Sequence, residues 1–255
     1  ATPYNDAAEA RAIRDLTGDP AVHPFKAHIG HTLGAAGGLE LLSAADAMEA
    51  GVLPACCGEG PIDEDARVRL PERGEAAAIP AVLKLSAAFG GVTAALVASR
   101  SAPAAPTRVP RAVRLLGSAV LSDVDEIDRI ALAERTGIAR DRLARIDDLG
   151  QLTLAAVAEL ATVLGREALT GAGIVAGHGL ATLDTNARFS ERLRDKGARW
   201  VDPRLFPATS PNAGAGHVAI AYGLVGPTFA VGASLAGGCE ALARAAEVIA
   251  AGDAE

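Results

Sequence analysis

The chain has 255 residues, half of them apolar and only 3% aromatic, with 24 Lys and Arg against 31 Asp and Glu. This composition predicts one or two folded domains with an ample core and excludes a largely disordered chain. The net charge of −7 argues against nucleic acid as a partner, and no apolar run is long enough to span a bilayer. The three cysteines form no disulfide framework and no leader opens the chain, so we expect a cytoplasmic protein without membrane association.

The apolar pattern alternates between helical and strand periodicity, which predicts an α/β fold. The many Ala and Gly residues predict a core of small side chains in which backbones pack closely. Helices are predicted at 6–16, 33–50, 148–164, 186–196, 212–224 and 236–251. Strands are predicted at 79–89, 92–99, 113–121, 173–177 and 228–233, the first two joined as a β-hairpin at Gly90-Gly91.

A proline-containing segment at 103–112 divides the chain and is typical of a linker. We therefore predict one domain at 1–102 and a second at 113–255. The pattern leaves open whether these two parts share one core or fold as neighbours.

The most specific string of residues runs from Lys26 to Gly37 and reads K-A-H-I-G-H-T-L-G-A-A-G, with Glu40 nine positions after His31. A histidine between glycines, just before a helix, lies at a turn where other backbone can approach closely. The positive end of the helix favours a neutral imidazole that donates a hydrogen bond. A surface turn with a structural histidine is the alternative interpretation. Lys26, His31 and Glu40 at one glycine-rich helix start favour a functional site.

This string resembles the second-histidine motif of the β-ketoacyl synthases, the condensing enzymes of fatty acid and polyketide synthesis. The motif reads K-x-x-I-G-H-T-x-G-A-A-G in that family. Residues 2–9 resemble the stretch after the family's first catalytic histidine, and F-G-G at 89–91 resembles its C-terminal strand pair. Thiolases are the nearest relatives, but Thr32 and Lys26 favour ketosynthases. The first part of the chain therefore looks like the latter part of a ketosynthase.

The second part of the chain resembles the other half of the same family. Residues 212–217 and 222–227 align with the stretch that leads into the nucleophile elbow, where a cysteine begins a helix. Here the elbow reads G-A-S-L-A-G-G at 232–238, and Leu235 occupies the cysteine position. Leucine cannot attack a thioester. Cys239, one helical turn further on, is predicted to be buried on the packed face of its helix.

The two halves stand in the reverse of the ketosynthase order, in which the elbow precedes the histidines. We therefore expect a segment that spans the junction of two tandem ketosynthase-like units, the second with a degenerate elbow. A circular permutation is the alternative. The resemblance implies a thiolase-like layered α/β/α fold with mixed sheets, present as incomplete halves. It also places the first imidazole and the nucleophile that would serve His31 upstream of Ala1.

The chemistry implied by the resemblance is a decarboxylative condensation. A cysteine takes an acyl group from acyl carrier protein, and a malonyl thioester loses carbon dioxide and attacks the acyl-enzyme. His31 matches one of two imidazoles that stabilise the enolate. Lys26 matches a supporting lysine, and Glu40 matches a carboxylate of the polar network. The family needs no metal and no cofactor other than the phosphopantetheine of the carrier protein, which delivers the acyl groups.

Two functions of different classes follow from these matches. In the first, the chain is part of a β-ketoacyl-[acyl-carrier-protein] synthase and is inactive alone, because it lacks the nucleophilic cysteine and the first histidine. In the second, it is a non-catalytic partner of a separate ketosynthase, like the chain-length factors, which lack the cysteine and pair with an active subunit. Both imply acyl carrier protein as a partner and a homo- or heterodimer of ketosynthase-like subunits. Acyl chain length and pathway stay open.

The other histidines and cysteines are interpreted as structural. His28 and His31 imitate a metal-binding pair, but no cysteine or carboxylate cluster in the sequence supports one. The adjacent Cys56 and Cys57 are predicted to lie in a loop with no special role.

Overall fold

The structure is a computed structural model that describes residues 2–58, 61–88, 93–101, 109–122, 127–203, 205–232 and 234–254. The chain forms two compact units. The first consists of Ala1–Ser86 and Thr93–Ala105, and the second of Ala87–Val92 and Pro106–Glu255. The predicted hairpin turn at Gly90-Gly91 and most of the predicted linker lie outside the described residues.

Helix α1 (Pro3–Thr17) opens the first unit and confirms the helix predicted at 6–16. The Thr2 hydroxyl accepts a hydrogen bond from the Asn5 amide at 3.4 Å, and Pro3 occupies the first helical position, where its missing N–H costs nothing. Gly18, with a φ of +78°, ends the helix.

Two helices follow around a turn. Helix α2 (Lys26–Ile29) is short, and a 3₁₀ turn (Leu33–Ala35) leads into helix α3 (Ala36–Ala50). Gly51 ends α3 in the left-handed conformation, with a φ of +65°. The helix predicted at 33–50 is therefore confirmed, with its first turn tightened.

The strands of the first unit form two small sheets. Strand β1 (Val52–Leu53) pairs antiparallel with β2 (Glu75–Ala76). Strands β3 (Ala81–Ala87) and β4 (Thr93–Ser99) pair with each other and confirm the strands predicted there.

The second unit alternates helices with a parallel strand pair. Its helices are α4 (Arg129–Thr136), α5 (Arg140–Leu143), α6 (Asp148–Leu164), α7 (Leu183–Lys196), α8 (Ala213–Tyr222) and α9 (Gly237–Ala251). Strands β5 (Ile174–His178) and β6 (Thr228–Gly232) run parallel, with Ile174 opposite Thr228 and His178 opposite Gly232. The α/β prediction is confirmed, since parallel strands of this kind are joined through helices.

The core of the second unit lies between α4, α6 and α8. It consists of Leu132, Ala133, Leu143, Ile146, Leu154, Ala158, Val218 and Tyr222. Helix α6 matches its predicted bounds because Asp147 caps it, accepting a hydrogen bond from the Gly150 amide at 3.0 Å. None of the helices in the described part of the chain has the length and apolarity needed to cross a membrane.

Small residues let helix α9 approach strand β5 closely. A Cβ added to Gly177 would lie 2.2 Å from the Gly237 carbonyl oxygen and 2.8 Å from the Ala241 Cβ. Gly237 and Ala241 therefore form the buried face of α9. The prediction that Cys239 lies on the packed face is wrong, since Cys239 is exposed and its neighbour Leu242 is 67% exposed.

The strand predicted at 113–121 does not form. These residues carry no regular secondary structure, and Leu115 and Val120 are more than four-fifths exposed. A strand needs a neighbour that satisfies its backbone N–H and C=O groups. The described residues supply none here, so the apolar pattern alone does not produce a strand.

Candidate functional site

Two of the predicted site residues meet directly in the first unit. Lys26 opens α2, and its Nζ lies 2.5 Å from Oε1 of Glu40 on α3. Lys84 on β3 approaches from the other side, with its Nζ 2.6 Å from Oε2 of the same carboxylate. Glu40 thus binds two ammonium groups, one through each oxygen.

This ion triad is partly shielded from water. The side chains of Glu40 and Lys84 are only 13% and 12% exposed, whereas that of Lys26 is 46% exposed. Burial by itself would raise the pKa of the Glu40 carboxyl, but the hydrogen bonds and charges of the two lysines outweigh it and lower that pKa below its ordinary value. Glu40 is therefore a carboxylate that fixes the position of the Lys26 ammonium.

Lys84 is the member of this triad that the sequence interpretation missed. It interrupts an apolar strand, and a lysine in that position is a signal for a buried ion pair, because a lysine is rarely left buried without a partner. Its Nζ also donates to the Ser86 hydroxyl at 2.7 Å.

Replacing Glu40 with glutamine is expected to destabilise the first unit by about 1–3 kcal/mol near neutral pH, because two lysines lose their anionic partner. The folded pKa of Glu40 lies below its unfolded value, so the stabilisation is complete above the unfolded pKa and is lost as pH falls through the folded pKa. Hydrogen exchange of α3 measures the effect at about pH 7 and in acid.

The matched control for this variant is Asp46→Asn on the same helix. Asp46 is exposed and forms no ion pair within the described part of the chain. Its replacement should leave the protection of α3 unchanged. Equal protection of wild type and Glu40→Gln near neutral pH would contradict the assignment, as would a difference that persists in acid.

His31 lies on the turn between α2 and α3 and is exposed. Its Nδ1 accepts a hydrogen bond from the Leu33 amide at 3.0 Å. Leu33 has a φ of +52°, a conformation that is uncommon for a residue with a side chain and that belongs to the tight turn here. Because Nδ1 is an acceptor, the neutral ring carries its proton on Nε2. His31 therefore presents an N–H donor away from the turn.

The predicted elbow lies in the second unit, where β6 leads into α9. Leu235 belongs to the 3₁₀ turn Ser234–Ala236 between them and is fully exposed. Among the described residues, no side chain makes a capping hydrogen bond at the start of α9. The elbow thus presents an apolar side chain where a nucleophile is expected, and leucine has no group that can attack a carbonyl. Ala233 of the same motif lies outside the described residues.

At this predicted elbow, the backbone at the start of α9 lies close to the backbone at the end of β5. A Cβ added to Gly237 would lie 2.4 Å from the His178 carbonyl oxygen, so only glycine allows α9 to start against the end of β5. The His178 ring is buried, and its Nε2 has no hydrogen-bond partner among the described residues. Within that same part of the chain, no three His, Cys, Asp or Glu residues are grouped so as to hold a metal ion.

Two family models match the chain and cover most of it. The model of the β-ketoacyl synthase C-terminal domain matches residues 1–58, and that of the β-ketoacyl synthase N-terminal domain matches residues 90–255. The second match alone covers about two thirds of the chain. The chain therefore belongs to the β-ketoacyl synthase family, whose domains have the thiolase α/β fold, and it carries the C-terminal domain before the N-terminal one.

Curated relatives match shorter stretches. An 83-residue stretch is 37% identical to 3-oxoacyl-[acyl-carrier-protein] synthase 2 of Vibrio harveyi and covers 32% of this chain and 20% of that protein. A 104-residue stretch is 36% identical to the tetracenomycin polyketide synthase ketoacyl synthase alpha subunit of Streptomyces glaucescens, covering 39% of this chain and 24% of that protein.

A third relative carries a name of a different kind. A 108-residue stretch is 38% identical to tetraacyldisaccharide 4'-kinase of Anaeromyxobacter sp. strain Fw109-5, covering 41% of this chain and 28% of that protein. The chain thus spans between 20% and 28% of the length of these three relatives. The family assignment rests on the two domain models.

Proposed function

We propose that this chain is part of a β-ketoacyl-[acyl-carrier-protein] synthase-like protein that performs decarboxylative condensation in fatty acid or polyketide synthesis. The observation that carries the proposal is the fixed orientation of His31, whose Nδ1 accepts from the Leu33 amide and whose Nε2 is left as a donor. A donor at this position suits the carbonyl oxygen of a malonyl thioester, where negative charge develops as carbon dioxide leaves.

In this proposal Lys26 and Glu40 are positioning residues. Glu40 is anchored by Lys84 and holds the Lys26 ammonium beside the turn that carries His31. Cation and imidazole together favour the negative enolate that follows loss of carbon dioxide. The acyl groups would arrive on the phosphopantetheine of acyl carrier protein, and the proposal includes no other cofactor and no metal.

We propose that the chain alone does not condense acyl groups. The acyl step needs a thiolate at the elbow, and Leu235 stands there instead. Within this proposal the nucleophile and the other imidazole come from a preceding ketosynthase-like segment, and the second unit contributes to a dimer. The protein would work in the reducing cytoplasm, which suits the three free thiols of Cys56, Cys57 and Cys239.

A second function is favoured by the elbow itself. The second unit matches the family's N-terminal domain, and Leu235 stands at its nucleophile position. A ketosynthase-like domain without this nucleophile suits a non-catalytic partner similar to a chain-length factor. Such a partner would pair with an active ketosynthase subunit and shape the acyl tunnel. The constellation of Lys26, His31 and Glu40 argues for the enzyme, because a purely structural partner has no need of a histidine whose donor is held in one orientation.

The coding DNA on both sides of the chain separates the two functions. An upstream elbow that contains cysteine, in frame with the first histidine motif, supports the condensing enzyme. An upstream elbow that also lacks cysteine contradicts the enzyme and supports the structural partner.

Limited proteolysis tests the proposed organisation into residues 1–102, a linker at 103–112 and residues 113–255. Cleavage within the linker should release two stable pieces, because proteases cut connections between folded parts more readily than packed segments. Resistance to cleavage there would mean that the two parts share one core.

A further inference from the structure

Two cysteines and two histidines meet in the first unit, in a region that the proposed function does not use. Cys57 follows β1, and its Sγ lies 3.0 Å from Nδ1 of His28 on α2. Both residues are exposed. Nε2 of His28 lies 3.1 Å from the Ala55 carbonyl oxygen. Because a carbonyl can only accept, Nε2 carries the ring proton and Nδ1 is left to accept the proton of the Cys57 thiol.

This arrangement has the three parts of an activated nucleophile. A thiol lies within hydrogen-bonding distance of a base, and a third group, the Ala55 carbonyl, fixes the orientation of that base. The neighbouring cysteine lies in different surroundings. The Cys56 thiol is half-buried, donates to the Val22 carbonyl at 3.6 Å, and has a pKa raised by burial and by Cys57. Cys56 is therefore held as a protonated thiol while Cys57 faces solvent.

The second histidine lies against the first. The rings of His23 and His28 are tilted against each other with their centroids 5.0 Å apart. Burial, and then the charge of His28, lowers the pKa of His23, so its ring stays neutral more readily. His23 also lies beside Cys56, with its Nδ1 3.7 Å from that sulfur. Each thiol thus has its own imidazole, and among the described residues the imidazole beside Cys57 is the one oriented by a carbonyl.

We propose that Cys57 is a thiol-modification site at which His28 acts as the base, and that it exchanges with small disulfides of the glutathione disulfide class. The Cys57 proton passes to Nδ1 of His28, and Sγ attacks one sulfur of the disulfide. The S–S bond of that disulfide breaks as the new one forms. The leaving thiolate takes the proton from His28 and departs as a thiol. Cys57 is oxidised to a mixed disulfide, and half of the small disulfide is reduced.

The neighbouring thiol should not resolve the mixed disulfide. Cys56 is the nearest thiol that could displace it, but the Cα atoms of adjacent residues are about 3.8 Å apart, whereas disulfides prefer about 4.4–6.8 Å. A Cys56–Cys57 disulfide would therefore be strained. Among the described residues, these four side chains are not grouped so as to hold a metal ion. The inference goes beyond the proposed function and involves neither His31 nor the ion triad.

Peptide mapping by mass spectrometry after brief exposure of the chain to glutathione disulfide tests this proposal. Cys239 is the internal control, because it is exposed and has no imidazole beside it in the described part of the chain. Cys57 should gain glutathione about ten times faster than Cys239, as expected for a thiol with a nearby base. The ratio should fall to about one in urea, where unfolding separates Cys57 from His28.

Two histidine variants locate the base. His28→Asn should reduce the rate of glutathione addition at Cys57 to the rate at Cys239. His23→Asn should leave the rate at Cys57 above the rate at Cys239. Equal rates at Cys57 and Cys239 in the folded wild-type chain would overturn the proposal. A folded His28→Asn chain with an undiminished rate at Cys57 would also overturn it. The comparison of Cys57 with Cys239 in the folded wild-type chain needs no variant and so still tests the proposal if His28→Asn fails to fold.

Discussion

Replacing His31 with alanine is expected to slow decarboxylation of the malonyl thioester by about 10²–10³-fold. The assay uses the longer protein that includes the elbow cysteine. A rate loss of this size is typical when one hydrogen-bond donor to a developing oxyanion is removed. The Leu33 amide donates to Nδ1 of His31 in the turn between α2 and α3. In the proposed function, the proton on Nε2 is therefore the one that is donated to the substrate. Release of labelled carbon dioxide from malonyl-[acyl-carrier-protein] measures the effect.

Acyl transfer to the elbow cysteine provides the control within the same experiment. That step builds up charge at a different carbonyl, so His31→Ala should retain acylation while losing decarboxylation. Loss of both steps together would indicate a damaged fold rather than a missing donor. Retention of both at wild-type rates would show that His31 does not contact the thioester, and the proposed role would fail.

Gly237→Ala is expected to destabilise the second unit by about 2–3 kcal/mol, because the new methyl group has no space. Its Cβ would lie 2.4 Å from the His178 carbonyl oxygen and 2.8 Å from the carbonyl carbon. Both atoms belong to the backbone of β5, which cannot rotate away as a side chain can. Urea unfolding measures the effect, with Trp200, the single tryptophan of the chain, as the fluorescent probe that lies in this unit.

The adjacent glycine supplies a closely matched control. Gly238 occupies the next position of α9, and a Cβ there would meet nothing within 4 Å. Gly238→Ala should therefore be neutral or stabilise the unit by up to about 1 kcal/mol, because alanine favours the helix. Equal unfolding midpoints for the two variants would contradict the close approach of α9 to β5.

Much of the fold could be predicted because the signals are local. Helix α6 begins after its capping Asp147 and ends at Gly165, both of which stand in the sequence where capping rules expect them. The buried face of α9 could not be predicted in the same way. The small residues Gly237 and Ala241 face β5, and the larger Leu242 faces solvent, because closeness of backbones rather than side-chain size decides this contact.

In the candidate site, too, some features follow from local sequence signals and others depend on how separate elements pack. The motif from Lys26 to Glu40 was visible because its residues lie on one stretch of chain. Lys84 joins that carboxylate from a strand more than forty positions away, and Cys57 meets His28 across 29 positions. Pairings of this kind depend on how separate elements pack, which spacing along a sequence does not encode. The apolar segment at 113–121 does not form the predicted strand for a related reason. A strand needs a neighbouring strand for its backbone hydrogen bonds, and the local pattern does not encode that neighbour.

The most direct test of the account is β-ketoacyl-[acyl-carrier-protein] formation by this chain alone, supplied with acyl- and malonyl-[acyl-carrier-protein] and followed by mass spectrometry. No condensation product is expected, because in the proposed function Leu235 stands where the elbow cysteine would be. The longer protein with an elbow cysteine should form the product and lose it with His31→Ala. Product formed by the chain alone would contradict the claim that it carries only part of an active site.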